Sequence, residues 1–326
     1  MQISIATILA GALAIGSALA SGEARAQTYP DRPIHVVVPF PAGGVTDAVA
    51  RLVGQRLGEA LRQSVVIENR AGASGVIGAA AVAKAAPDGY TLLITTGDFM
   101  TMQSIMPPLP FDPNKELTPV ALLAVAPLVL IANPASGIAT IKDLTAAAKA
   151  RPGEIGYSSP GVGTVNHLAV EGIALAAGIK LLHVPYRGGA PAATAVATGE
   201  VAIGAVTQPS GIGLIQAGKV KVVALMTKQR PAFAPDWPTL AESGLDFDAA
   251  LWVGLFAPAG TPAAVVDRLV AEANKALQTA QMRKALNALG TDVSPIGQAA
   301  FVQWIQADVD HYAGVIKKIG LHPPQQ

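Results

Sequence analysis

The segment Val36-Val37-Val38-Pro39-Phe40-Pro41-Ala42-Gly43-Gly44-Val45-Thr46-Asp47 constrains this chain more than any other. A β-branched run ends in a Pro/Gly loop, and Leu52, Val53, Leu57 and Leu61 then recur at helical spacing. That pattern predicts a strand, a tight loop and a helix in immediate succession. The first backbone N–H groups of such a helix have no intrahelical acceptor, and the helix dipole places partial positive charge on them. An anion can be held there without a charged side chain. The unit recurs in Ile155-Gly156-Tyr157-Ser158-Ser159-Pro160-Gly161-Val162-Gly163-Thr164-Val165-Asn166-His167, with Leu168, Ala169 and Ile173 following on the helix. Counted from the loop proline, both copies read Pro-x-x-Gly-x-x-Asp/Asn: Pro41, Gly44, Asp47 and Pro160, Gly163, Asn166. One copy alone serves equally well as a plain connection. Two copies in different parts of the chain place two helix N-termini face to face across a cleft, an arrangement suited to a carboxylate.

Short β-branched runs alternate with alanine-rich helical patterns almost to the end. The predicted strands are Ile34–Val38, Val65–Glu68, Thr91–Thr95, Leu128–Ala132, Ile155–Ser158, Leu181–Pro185, Val201–Val206, Val220–Met226 and Val253–Ala257. Helical segments between them include Asp47–Leu61, Gly75–Lys84, Ile141–Ala150, Asn166–Ala177 and Pro191–Thr198. This alternation argues for an α/β fold with mostly parallel sheets flanked by helices. The Pro-rich stretch Met106–Pro119 breaks the rhythm, and Leu122–Asn133 follows as a long apolar segment. A second irregular stretch, Arg230–Asp246, precedes the strand Leu251–Ala257 and the helices Ala263–Leu277, Gln281–Leu289 and Ala299–Ile316. If both irregular stretches lie near a hinge, residues 125–227 form a lobe inserted between 27–124 and 228–326, which together form the other. The best cleft then lies between the lobes, outside the carboxyl ends of their strands.

Residues 1–26 read as a secretory signal peptide. Ile3 to Ala20 is almost wholly apolar or small, and Ala24-Arg25-Ala26 offers a small-x-small cleavage site, although no Lys or Arg precedes the apolar run. The run also approaches the length of a membrane anchor, but its Gly, Ala and Ser content and the cleavage site favour removal. Cleavage leaves 300 of 326 residues, enough to bury about three quarters of the unfolded surface. There is no cysteine, which excludes disulfides, thiolate catalysis, Cys-ligated metals and lipid attachment through an N-terminal Cys. Lys and Arg number 23 against 22 Asp and Glu, and only 14% of residues are charged, so no nucleic-acid footprint or polybasic membrane patch is expected. Export points to the periplasm or the outside of a bacterial cell.

Within the loops, Asp47 and Asn166 fit helix N-caps, and Thr46 and Thr164 fit either capping or hydroxyl donation to a ligand. His167, in a first helical turn, fits a structural hydrogen bond better than catalysis or metal binding. Asn69 to Gly75 offers further free amides, where Arg70 either attracts an anion or closes a salt bridge. Thr95-Thr96-Gly97-Asp98 ends the third strand, and Asp98 is there a cap or an acceptor for a ligand hydroxyl or ammonium. Tyr186 ends a strand where it can line a ligand site. No Gly-x-Ser-x-Gly elbow, Walker lysine or Gly-x-Gly-x-x-Gly occurs, and the five histidines lack metal-binding spacing. A hydrolase is therefore poorly supported, and no metal site is expected.

Several motifs carry a family resemblance. They are Tyr29-Pro30-x-x-Pro33-Ile34, Val38-Pro39-Phe40-Pro41-Ala42-Gly43-Gly44-x-x-Asp47, Glu68-Asn69-Arg70-x-Gly72-Ala73 and Pro87-Asp88-Gly89-Tyr90-Thr91-Leu92-Leu93. His183-Val184-Pro185-Tyr186-Arg187-Gly188, Pro238-Thr239-Leu240-Ala241-Glu242-Ser243-Gly244 and Trp252-x-Gly254-Leu255-x-Ala257-Pro258-Ala259-Gly260-Thr261-Pro262 complete them. The chain resembles the Bug-type receptors, the extracytoplasmic solute-binding components of tripartite tricarboxylate transporters, over essentially its whole mature length. The resemblance implies a two-lobed, type II periplasmic-binding-protein (Venus-flytrap) fold with no catalytic activity and no cofactor. It implies a monomer that holds a small carboxylate (a di- or tricarboxylate, an acidic amino acid or an aromatic acid) and meets membrane transporter subunits. It places first-lobe contacts at Phe40, Ala42, Gly43, Gly44 and Thr46, with Asp47 close by, and further contacts at Thr96 and Asp98. Second-lobe contacts fall at Ser158, Gly161, Gly163, Thr164 and His167, with Val162 and Tyr186 alongside. Val162 stands where a polar residue is expected, and Asp98 where a small or hydroxyl residue is expected; both bear on ligand identity. The alternatives are a ligand-sensing subunit for a membrane sensor kinase and, from another class, an exported hydrolase.

Overall fold

The computed structural model describes residues 29–98, 100, 105, 109–231, 233–292 and 296–321, so the signal-peptide reading lies outside the described residues. Strands β1 (Ile34–Val38), β2 (Val65–Asn69) and β3 (Thr91–Thr96) run parallel, with β1 in the middle. In β1 only His35 is exposed, the pattern of a strand covered on both faces. Helix α1 (Val45–Leu61) connects β1 to β2 and buries Val45, Val49, Val53, Leu57 and Leu61 as one stripe at a spacing of four. Helix α2 (Val76–Ala83) returns the chain to β3.

Strand β4 (Leu117–Ala132) serves two sheets. From Leu117 to Pro127 it pairs antiparallel with β9 (Ala250–Pro258), which itself pairs antiparallel with β3. From Leu128 to Ala132 it pairs antiparallel with β7 (Ile203–Thr207), and from Val129 to Ala132 with β8 (Lys221–Leu225). Parallel strands β5 (Gly156–Ser159) and β6 (Leu182–Pro185) extend the second sheet beyond β7. Its helices are α3 (Ile141–Ala150), α4 (Val165–Ala177), α5 (Gly189–Thr198) and α6 (Gln208–Gln216). The sheets are thus mixed, and every antiparallel ladder involves β4 or β9.

The predicted strand Leu128–Ala132 is only the second half of β4. Its prolines, which read as breakers, stand where no ladder donor is needed. Pro119 lies beside a register shift, and Pro127 sits where pairing passes from β9 to the second sheet. Next to it, Leu128 accepts from Met226 N–H at 2.8 Å and donates to Ala249 O at 3.4 Å, so the two passages between the sheets lie side by side. Helix α6, absent from the sequence reading, carries a proline and two glycines and shows only one buried residue.

The chain ends with α7 (Ala263–Gln278), α8 (Ala280–Ala288) and α9 (Gln298–Ile319). Helix α7 packs on α1, and α9 packs on both β4 and α4. Beneath α9 the rings of Trp252, Phe256 and Phe301 form a cluster, with Trp252 edge-on to Phe301 at 5.6 Å. No helix among the described residues is long and apolar enough to cross a membrane.

Candidate ligand-binding site

Helix α1 starts at Val45, two residues earlier than its sequence pattern predicts, and its N-cap is Gly44. Asp47, expected as the cap, is the third helical residue. Its Oδ2 accepts from Gly43 N–H and from Arg51 Nε, both at 3.0 Å. Its Oδ1 accepts from Asn69 Nδ2 at 3.0 Å and lies 2.9 Å from Arg51 Nη2. Asn69 Nδ2 also donates to Phe40 O at 3.0 Å, tying the loop to the end of β2. Burial raises the Asp47 pKa, but the bonds from Arg51, Gly43 and Asn69 outweigh it and hold the carboxyl below its ordinary range. The Asp47 charge is therefore directed at Arg51, Asn69 and Gly43. No described residue accepts from the N–H groups of Gly44, Val45, Thr46 or Asp47; the first helical bond is from Ala48 N–H to Gly44 O. Ala42 and Gly43 are exposed, Gly44 and Phe40 half-buried and Thr46 buried.

The second unit is built differently. Helix α4 is capped by Thr164, not Asn166; Thr164 Oγ1 accepts from His167 N–H at 3.3 Å and donates to Gly161 O at 2.8 Å. Asn166 instead donates to Ala205 O of β7 at 3.0 Å. Gly163 adopts φ 73°, a left-handed turn that only glycine makes easily, and its N–H donates to His167 Nδ1 at 3.0 Å. The His167 proton is thereby left on Nε2. The His167 ring stacks on His183 at 3.9 Å, and His183 stacks on Tyr157 at 4.9 Å. Burial, with His183 beside it, pushes His167 down to about 3, and burial pushes His183 down to about 4. Both rings are neutral at ordinary pH, so neither supplies positive charge to an anion. The Ser158 hydroxyl is fully buried and donates to Ala192 O at 2.9 Å, behind the loop. Val162 lies 48% exposed at the loop tip, and Tyr186 is half-buried, its phenol pushed up to about 12 by burial and by Glu200.

The two loops meet through side chains of the first sheet. Asp98, at the end of β3, accepts from the Thr96 hydroxyl at 2.8 Å and from Val165 N–H at 2.8 Å. It is a cap in trans: a carboxylate from the first sheet seated on the first amide of a helix of the second. Ser74 Oγ donates to Val162 O at 3.4 Å. Ser74 belongs to a short turn, Gly72 to Gly75, in which Ala73 and Ser74 hold φ of 46° and 50°, a strained pair for residues with side chains. A Cβ built on Gly188 would stand 3.9 Å from Pro41, so the rims also touch there. The structure thus gathers Phe40 to Asp47, Ser74, Thr96, Asp98, Gly161 to Thr164 and Tyr186, while Ser158 and His167 brace the loop from behind. Arg70 takes the salt-bridge alternative, bonding Glu68 at 2.8 and 3.1 Å.

Sequence reasoning missed Asp308 of α9. It accepts from Trp252 Nε1 at 2.8 Å, and burial, with the Asp98 charge nearby, pushes its carboxyl up to about 6. Its signal was its spacing: Phe301, Ile305, Asp308 and Tyr312 share one helical stripe, so the acid is drawn half-buried toward the core. Ser74 and Asn69 lay in a loop marked only for its amides.

The sequence profile of the tripartite tricarboxylate transporter family receptor matches residues 49–321. BugT of Bordetella pertussis is 35% identical over 309 residues, covering 94% of this chain and 95% of BugT. The adipate-bound protein Rpa4515 of R. palustris superposes with a TM-score of 0.87 at 32% identity, over 90% of this chain and 99% of that one. Malate-bound MatC of Rhodopseudomonas palustris gives a TM-score of 0.81 at 31% identity, over 88% and 100%. Structures similar to this one include periplasmic binding proteins, and the mixed sheet flanked by helices is their two-lobed type II α/β fold. The chain belongs to the tripartite tricarboxylate transporter receptor family, the Bug-type solute-binding receptors.

Proposed function

We propose that this chain is a periplasmic solute-binding protein, exported through residues 1–26, that captures a small carboxylate and delivers it to the membrane subunits of a tripartite transporter. One observation carries the reading: at the uncapped start of α1, consecutive N–H groups from Gly44 to Asp47 have no acceptor among the described residues. Amides at a helix start recognise a carboxylate through geometry and dipole, with no basic side chain required. Phe40, Ala42, Gly43, Thr96 and the Thr46 hydroxyl complete this half of the site, and Gly161 to Thr164 with Tyr186 form the other. The lobes we assign are 27–124 with 228–326, and 125–227, in a monomer. Adipate and malate in the two relatives are both small carboxylates, and that chemical class is what we carry over. A ligand with higher affinity for the closed arrangement shifts the population toward it. The Asp98–Val165 and Ser74–Val162 bonds are the protein's own contribution to that arrangement.

Gly44→Asp tests the site. Gly44 has φ −78° and ψ 171°, open to any residue, and a Cβ there would meet only Pro41 O at 3.8 Å. An aspartate folds there as an N-cap, worth a few tenths of a kcal/mol over glycine, and turns its carboxylate onto the amides of α1. The expected outcome is an unchanged or slightly raised melting temperature together with loss of carboxylate binding by titration calorimetry. Unaltered affinity in this variant refutes the site. Wild-type protein that binds nothing from a panel of mono-, di- and tricarboxylates refutes the receptor reading.

A further inference from the structure

The two helix starts at the site read alike in sequence and differ in their hydrogen bonds. At α1, the Gly44, Val45, Thr46 and Asp47 N–H groups meet no described acceptor. At the second loop and α4, Gly161 N–H goes to Ser159 Oγ at 3.2 Å, Gly163 N–H to His167 Nδ1 at 3.0 Å and His167 N–H to Thr164 Oγ1 at 3.3 Å. Val165 N–H, the first of the helix, goes to Asp98 Oδ1 at 2.8 Å. Three of these acceptors are neutral, and the fourth is a carboxylate brought across from the other lobe. Asp98 is 4% exposed and its second oxygen is held by Thr96, so it is fixed in place. Asp308 Oδ2 would stand 3.0 Å from a Cβ built on Gly97, next to Asp98, and burial with the charges of Asp308, Asp98 and Asp248 pushes the Tyr312 phenol up. A ligand carboxylate reaching this end would find the Val165 N–H already taken, and would be a third acid beside Asp308 and Asp98, whose carboxyl burial already pushes up despite the bonds from Val165 and Thr96. The exposed Val162 side chain adds apolar surface to the same loop.

We propose that Asp98 sets the specificity of this receptor: it occupies the first amide of α4 as a built-in carboxylate, so the site takes a monocarboxylate with an uncharged body, held at α1, and rejects dicarboxylates. The inference rests on the receptor reading above and narrows it. Asp98 acts by exclusion, which is as effective a route to specificity as added contacts.

The test compares matched acids by titration calorimetry on the purified protein: hexanoate with adipate, butanoate with succinate, and 2-hydroxybutanoate with malate. In each pair a methyl group is replaced by a second carboxylate. Wild-type protein is expected to bind each monocarboxylate at least tenfold more tightly than its partner. Asp98→Ala frees Val165 N–H and removes the charge, so each ratio should narrow at least tenfold. Asp98→Asn keeps an acceptor for Val165 and removes only the charge; it should narrow each ratio at least threefold, and it carries the test if the alanine variant does not fold. A wild-type preference for dicarboxylates overturns the inference. So do unchanged ratios in both variants, including the case in which all six affinities fall together, because that marks a purely structural role. If wild-type protein binds none of the six acids while a tricarboxylate binds, the specificity inference alone falls; if no carboxylate binds at all, the receptor reading falls with it.

Discussion

Asp47→Ala tests the scaffold beneath the amides proposed to hold the ligand. The carboxylate receives hydrogen bonds from Gly43 N–H and Asn69 Nδ2, both at 3.0 Å, and a two-pronged contact from Arg51. Each of the first two is a bond to a charged acceptor, worth ~1.5–3 kcal/mol. Arg51 is 54% exposed, so its ion pair adds only ~0–1 kcal/mol. In the variant, exposed Gly43 can rehydrate and Asn69 keeps its bond to Phe40 O, which recovers roughly half of the loss. A net cost of about 2–3 kcal/mol follows, or a fall in melting temperature of roughly 5 °C for a chain of this size. The pH dependence has a definite sign. The folded-state pKa lies below the ordinary 3.8, so the unfolded chain binds the proton first as pH falls. The stabilisation is present above 3.8 and is lost as pH drops through the lower folded value. Urea denaturation of both proteins at several pH values measures the difference. It should hold constant from neutrality to about pH 5 and close toward about pH 3. A gap below about 0.5 kcal/mol at neutral pH, or one that widens on acidification, refutes the role given to this network.

The remaining predictions concern packing and the buried acids. A Cβ on Gly254 would stand 2.4 Å from Phe301 Cζ and 3.0 Å from Phe256 Cε2, so Gly254→Val should overpack the contact between β9 and α9 and cost about 1–3 kcal/mol. A calorimetric scan showing wild-type melting would contradict that packing. Asp308 titrates at about 6 in the fold against an ordinary 3.8, so the folded state holds a proton that the unfolded state lacks between those values. Stability from this group is therefore full below 3.8 and lost as pH rises through about 6. Asp308→Asn keeps an acceptor for the Trp252 indole N–H and should melt higher at pH 7.5, by an amount on the order of 1–3 kcal/mol, with the advantage gone by about pH 4. An advantage independent of pH would show that the carboxylate is not strained by its burial.

In the proposed site an anion requires neither net charge nor histidine titration. The proposed donors are backbone groups fixed by Asp47 and Asn69 on one side, while the neutral His167–His183 stack braces the other loop. Burial removes water from the imidazoles and so keeps them uncharged.

Much of this fold follows from local periodicity. Strands covered on both faces appear as unbroken β-branched runs, and amphipathic helices as stripes, so β1, β2, β3, α1 and α3 stand close to where their patterns place them. The Pro/Gly loop before α1 is local chemistry as well, because a helix start needs no distant partner to expose its amides. Other features depended on distant residues. Pro119 and Pro127 belong to β4 only because a register shift and a sheet junction, made by β9, β7 and β8, spare them a ladder donor. The stripe marks Asp308 as an acid on an apolar face, but its partner, Trp252, lies 56 residues away. The two Pro-x-x-Gly-x-x-Asp/Asn units diverge for the same reason. Asn69, 22 residues from Asp47, turns that carboxylate away from the amides of α1, and Asp98, 67 residues from Val165, fills the first amide of α4. Sequence alone determined that two helices start directly after Pro/Gly loops. Tertiary structure decided which one is open, because a hydrogen bond is settled by whichever acceptor the folded chain brings within about 3 Å, and neither loop encodes that acceptor.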